Sequence, residues 1–205
     1  MFARAAMHVP VEVARAACET LLARGMHRLV IVHKANIMPL TDGLFRDCCR
    51  EVAQSYPQIE VSELLVDTAA YQLARAPQQF QALVAPNLYG DILSDLAAAH
   101  GGGLGLAASL NQGDAGVAIA EPVHGSAPDI AGQGKANPLA CLLSLSMMLR
   151  YSFDQGEDAD LLEKAANNVV AKGFRTGDIM APGCTLVGTK QMGDEILKEL
   201  DRLAA

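Results

Sequence analysis

The run Arg28-Leu29-Val30-Ile31-Val32 constrains the fold more than any other stretch of this chain. It is short, apolar and β-branched, and it reads as a buried strand. A helix is expected before it, from about Val11 to Ala23, ending near Gly25. His33-Lys34-Ala35-Asn36 follows at its C-terminal end. Thr41 or Asp42 is placed to cap a second helix carrying Leu44, Phe45, Cys48 and Val52, and Pro57 closes that unit. Ile59 to Leu65 reads as a second strand, about Asp67 to Ala74 as a helix, and Phe80 to Val84 as a third strand. Pro86-Asn87 then opens a further helix. Gly101 to Gly105 breaks the chain. Val117 to Ala120 is a short strand, and the loop Glu121 to Ile130 follows it. Asn137-Pro138 opens a strongly apolar helix to about Tyr151. Two more helices are expected, about Ala159 to Lys172 and Lys190 to Leu203. Strands alternating with helices define an α/β fold.

The bulk numbers narrow the function classes. With 205 residues, 51% of them hydrophobic, the chain can bury a core, and disorder is not expected. The formal net charge of −7 and the lack of a basic cluster argue against nucleic acid and anionic membrane as partners. No apolar run reaches spanning length, and the segment Met1 to Met7 does not read as a signal peptide. Five cysteines (Cys18, Cys48, Cys49, Cys141 and Cys184) are scattered and odd in number, so neither a disulfide framework nor a zinc knuckle is indicated. A cytoplasmic location is the expectation.

Asp91 and Asp95 carry the sharpest chemical signal. Four apart on a helix, they point the same way and can hold a hard cation such as Mg²⁺ or Mn²⁺. By itself such a pair is more often a solvated helix face. Here Ile92, Leu93, Leu96 and nearby alanines make the flanks apolar, so two like charges call for a partner. Lys34, where a strand meets a loop, is placed to donate a proton, although an isolated lysine is usually a surface residue. Asp67 alone reads as a helix N-cap. In Glu121–Ile130, Pro122 and Pro128 stiffen the loop and Gly125 permits close backbone approach. Ser126 and the local amides suit a phosphate, and Asp129 suits a ribose diol, which would favour NAD. The bland alternative is a rigid structural turn. Gly103-Leu104-Gly105-Leu106-Ala107-Ala108 fits a dinucleotide fingerprint on paper, but no strand leads into it, and it is set aside.

Taken together, His33-Lys34-Ala35-Asn36-Ile37-Met38, Val66-Asp67, Asn87 to Asp95, Glu121 to Ile130 and Ala136-Asn137-Pro138 resemble the β-decarboxylating dehydrogenases acting on isocitrate, homoisocitrate and 3-isopropylmalate. The resemblance runs from about Val11 to the C-terminus. It implies the family's own α/β fold, which is not a Rossmann fold. Residues 1–95 would form mainly the small dimerisation and catalytic domain, and residues 96–205 part of the large cofactor-binding domain. It further implies NAD-dependent oxidation of a malate-type secondary alcohol, followed by loss of CO₂ with Mg²⁺ or Mn²⁺. Asp67, Asp91 and Asp95 would bind the metal. Lys34 and Asp67 are the implied catalytic residues, entering from a neighbouring subunit of a homodimer or higher oligomer. His124, Gly125, Ser126, Ala127, Asp129 and Ile130, with Asn137, would hold the adenosine end of NAD. Pro39 and Ala85 to Gly90 look more like homoisocitrate dehydrogenases. Met38 and Arg175 to Ile179 lean toward isocitrate dehydrogenases, and 3-isopropylmalate dehydrogenases match less well.

One departure qualifies what the resemblance implies. Family chains carry an N-terminal portion with substrate-gripping arginines and a catalytic tyrosine, and no segment upstream of Lys34 matches it. Two expectations follow: a decarboxylating dehydrogenase completed by a separate N-terminal half, or a catalytically silent binding and oligomerising module. Sheet edge and apolar surface should be exposed in either case, favouring self-association.

Overall fold

The computed structural model describes residues 2–4, 10–113 and 117–204; much of the N-terminal segment read above for targeting lies outside them. The chain divides into two compact units, Met1–His100 and Gly101–Ala205.

The first unit is built on a four-stranded parallel sheet. Its strands are β1 (Phe2–Arg4), β2 (Arg28–His33), β3 (Glu60–Leu65) and β4 (Ala82–Ala85), in the order β1-β4-β2-β3. Helix α1 (Pro10–Ala23) leads into β2, α2 (Thr41–Ala53) into β3, and α3 (Val66–Arg75) into β4; α4 (Asn87–His100) follows β4. Pro10 stands at the first position of α1, where its missing N–H costs nothing. Past the helix end, Gly25 at φ +65° lets the Met26 N–H reach the Leu21 carbonyl at 2.8 Å and the Gly25 N–H reach Leu22 at 3.0 Å. That Schellman closure turns the chain into β2.

The β2 run is buried on both faces, as its composition requires. Leu29 and Ile31 pack with Ala14, Cys18 and Leu21 of α1 and with Phe45 and Cys49 of α2. Val30 and Val32 point the other way, against Ala69 and Leu73 of α3 and Leu93 of α4. Strand periodicity of two thus divides one run between two cores. All five cysteines are free, and burial pushes the Cys49 thiol up to about 12.

Two local expectations are corrected. Neither Thr41 nor Asp42 caps α2, because Leu40 holds that position without a side-chain bond and the Met38 carbonyl accepts the N–H groups of Asp42 and Gly43 instead. Nor does Asp67 cap α3. Leu65 is the cap residue, and Asp67 lies inside the first turn. The third strand begins at Ala82 rather than Phe80, since a 3-10 turn over Pro77–Gln79 precedes it and the Phe80 N–H bonds to Pro77.

The second unit carries an antiparallel pair, β5 (Ala108–Gln112) with β6 (Ala118–Pro122), and a short parallel pair, β7 (Phe174–Arg175) with β8 (Thr185–Leu186). Helix α5 (Leu139–Ser152) packs on β5, β6 and α6 (Gly156–Ala171), and α6 packs on α7 (Thr189–Ala204). Leu139, Leu162, Ala165, Val169, Met192 and Ile196 form the core between these helices.

Candidate functional site

In the first unit the candidate residues all lie on segments that leave the carboxyl ends of adjacent parallel strands. Lys34 follows β2, Asp67 follows β3 in the first turn of α3, and Asp91 and Asp95 ride on α4 beyond β4. This is where open α/β sheets place ligands. His33 pairs in register with Leu65, so the residues that follow the two strands emerge side by side. There the Lys34 Nζ donates to Asp67 Oδ1 at 2.5 Å. The Lys34 hydrogen bond, then Asp67's own backbone N–H, hold the Asp67 carboxyl below the usual carboxylate range. Lys34 is half-buried and Asp67 largely exposed, so the pair keeps an open side.

On α4 the helical period separates what the sequence ran together. Leu93 is fully buried against the sheet, whereas Asp91, Asp95, Leu88 and Ile92 are exposed on the other side. The apolar flank does not enclose the two carboxylates, which lie on an exposed face of the helix. Ser94 Oγ donates back to the Asp91 carbonyl at 2.9 Å.

Asp67, Asp91 and Asp95 are a hard, all-oxygen donor set of the kind that suits Mg²⁺ or Mn²⁺. Among the described residues of one chain, however, no three His, Cys, Asp or Glu side chains converge as a metal site. The chemistry of these donors suits a divalent cation, although the described residues of one chain do not bring all three together.

In the second unit, β6 hands the chain to the loop that carries the expected cofactor residues. The Val123 N–H bonds to Ala107 at 3.0 Å, and His124 Nδ1 lies 2.8 Å from the Gly125 carbonyl. His124, Gly125, Ser126, Ala127 and Asp129 are exposed, and Ile130 is half-buried. The left-handed residue of the loop is Ala127, at φ +42°, directly before Pro128. Among the described residues nothing lies within 4 Å of a Cβ at Gly125. A 3-10 turn over Pro128–Ile130 presents Asp129, whose carbonyl accepts from Gln133 Nε2 at 2.7 Å.

Asn137 is fixed from two sides. Its Oδ1 accepts the Leu139 N–H at 3.0 Å, and its Nδ2 donates to Asp178 Oδ2 at 3.0 Å. Asp178 Oδ1 accepts from the fully buried Thr176 at 2.6 Å. Farther along, the Thr189 N–H and Oγ1 tie the carbonyls of Gly134 and Ala136 at 2.8 and 2.5 Å. Sequence reading assigned no role to Asp178 or Thr189. The available signal was Asp178's place in the run Arg175–Ile179. The glycine run also gains a purpose: a Cβ at Gly105 would stand 2.2 Å from Asp178 Oδ2. The segment leads from a 3-10 turn over Leu104–Leu106 into β5, which excludes the strand-to-helix geometry of a dinucleotide fingerprint.

Fold and site together define an α/β protein with acidic and basic groups at the carboxyl ends of a parallel sheet. Residues 6–196 match the isocitrate/isopropylmalate dehydrogenase family, and the chain belongs to it. The 3-isopropylmalate dehydrogenase of Rhodospirillum rubrum is 52% identical over 202 residues, covering 96% of this chain and 54% of that protein. The enzyme of the same name from Thermosynechococcus vestitus is 50% identical over 190 residues, covering 93% and 52%. A crystal structure of isocitrate dehydrogenase from Methylococcus capsulatus superposes with a TM-score of 0.88 at 40% identity, covering 95% of this chain and 57% of that one. The chain spans about half the length of the curated relatives it matches. The short runs lean toward isocitrate and homoisocitrate dehydrogenases, whereas these curated relatives are named 3-isopropylmalate dehydrogenase and this solved neighbour is an isocitrate dehydrogenase.

Proposed function

We propose that this chain carries the metal-binding, proton-handling and adenosine-binding part of an NAD-dependent oxidative decarboxylase of 3-substituted malates. 3-Isopropylmalate is the first substrate to test, ahead of isocitrate and homoisocitrate. The observation that carries the reading is the Lys34–Asp67 ion pair at the strand ends of a unit that also displays Asp91 and Asp95.

Asp91 and Asp95 of one copy, with Asp67 of another, would hold Mg²⁺ or Mn²⁺. Such a cation, when bound, supplies Lewis-acid polarisation of a substrate oxygen. Lys34 holds or releases a proton at Nζ, and the negative charge of Asp67 keeps that amine oriented toward the open side of the pair. The loop at His124, Gly125, Ser126, Ala127, Asp129 and Ile130, with Asn137, is the proposed adenosine site. The exposed Asp129 carboxylate is suited to accept hydrogen bonds from a ribose diol and to repel a 2′-phosphate.

The test is NAD reduction with each of the three substrates and Mg²⁺, by the chain alone and with the N-terminal half of a relative added. Turnover that Asp91→Asn abolishes is the expected result. If no substrate is turned over in either arrangement, the reading fails. That result would favour a second one, a binding or oligomerising module of the same family, which the half-length match to the curated relatives keeps in play.

A further inference from the structure

Two buried side chains with no role so far grip the turn that presents Lys34. Asp42 Oδ2 accepts the backbone N–H of Lys34 at 2.6 Å, and His33 Nδ1 accepts the N–H of Ala35 at 3.1 Å. Asp42 is 5% exposed and His33 6%. Both amides lie beyond the last ladder pair of β2, His33 with Leu65, so they depend on side chains for partners. The Lys34 carbonyl is also engaged, accepting the N–H groups of Ile37 and Met38 at 2.9 Å.

Each grip is itself anchored. Because His33 Nδ1 accepts, a neutral ring carries its proton on Nε2, which faces Glu63 Oε2 at 3.4 Å. Glu63 is in turn ion-paired with Arg50 of α2. On the other side, the Tyr89 phenol of α4 donates to Met38 Sδ at 3.6 Å. Asp42 therefore ties the start of α2 to the strand end, and His33 ties the same turn to β3.

We propose that Asp42 and His33 are positioning residues for the Lys34 amine. By holding two successive backbone amides they fix where Nζ emerges and keep it against Asp67. The proposal deepens the decarboxylase reading and rests on Lys34 being its proton-handling group. Small displacements matter there, since a misplacement of about 1 Å can cost about 10²-fold in rate.

Amide hydrogen exchange by NMR and acetic anhydride labelling of lysines, both on the full chain, test it. In the wild-type chain the Lys34 and Ala35 amides should exchange slowly although they lie outside the ladder. Asp42→Ala should speed exchange at Lys34, and His33→Phe at Ala35, by about tenfold or more, while Val30 and Val32 stay protected. Both variants should also raise labelling of Lys34 several-fold, with Lys172 and Lys190 unchanged. Asp42→Asn and His33→Asn keep an acceptor in place and should restore wild-type labelling. Free exchange at both amides in the wild type overturns the proposal, and so does unchanged Lys34 labelling in folded deletion variants. If a deletion variant loses the Val30 and Val32 protection, wild-type exchange and the conservative variants decide. Failure of the decarboxylase reading would show separately, as absent turnover with exchange and labelling as expected.

Discussion

Glu199 sits fully buried in the second unit with its charge intact. Both oxygens are engaged, by Arg202, by Lys172 and by Asn168 Nδ2 at 2.7 Å. The Arg202 hydrogen bond first, then those of Lys172 and Asn168, drive its carboxyl far below the ordinary 4.5. A carboxyl depressed in the folded state stabilises at pH values above its unfolded range and loses that contribution as pH falls toward its folded value. Glu199→Gln should therefore lower Tm at pH 7, and the gap to wild type should close progressively on acidification below about pH 4.5. Thermal melts of the two proteins across that range check it, and a gap that stays constant with pH would contradict the assignment. Asp67 and Lys34 were readable as residues because each stands at the end of an apolar run. Asp42 and Asp178 were not, because their roles lie in partners that only the fold brings near: a backbone amide eight residues earlier, and Asn137, 41 residues away in sequence.

Among the elements, α4 separates stability from function by face. Leu93 is fully buried, while Ile92 is 57% exposed one residue away. Leu93→Ala should cost about 2–5 kcal/mol. Ile92→Ala should stay within about 0.5 kcal/mol for the isolated chain. Urea unfolding resolves the difference, and equal costs would mean the helix is rotated from the position described. Helices α1 to α7 and strands β2 to β4 were legible because each has a periodic or continuous apolar pattern. Strand β5 was not, since Ala-Ser-Leu-Asn-Gln has no β-branched residue and is a strand only through its pairing with β6. Strands β7 and β8 are two residues each, too short to leave any period. The Asp91–Asp95 spacing was legible for the same reason that α4 was. The exposure of that face was not, because each residue of a helix is turned about 100° from the last, so apolar neighbours in sequence such as Ile92 and Leu93 can differ in burial.

For the whole molecule, the first unit displays Ile37, Leu40, Leu44, Leu88 and Ile92 to solvent, each more than half exposed. So much exposed apolar surface, beside acidic groups that do not converge among the described residues of one chain, argues for self-association. We expect sedimentation or sizing at micromolar concentration to give a dimer or larger species, and Ile92→Lys to shift it toward monomer. A monodisperse wild-type monomer would count against both the association and the shared metal set. No helix among the described residues is long and apolar enough to cross a membrane.

The sheet order carries a consequence for how the chain is made. Among the described residues strand β1 is hydrogen-bonded to β4 alone, Phe2 opposite Leu83, so this partner lies some eighty residues downstream. During synthesis at about 5–20 residues per second, that partner follows by roughly 4–16 s. Until then β2 and β3 can pair, but β1 lacks the strand it is paired with here. Of the four described strands of this sheet, β1 is thus made before the other three and seated last, and over that interval it is open to a chaperone, a protease or the matching edge of another copy.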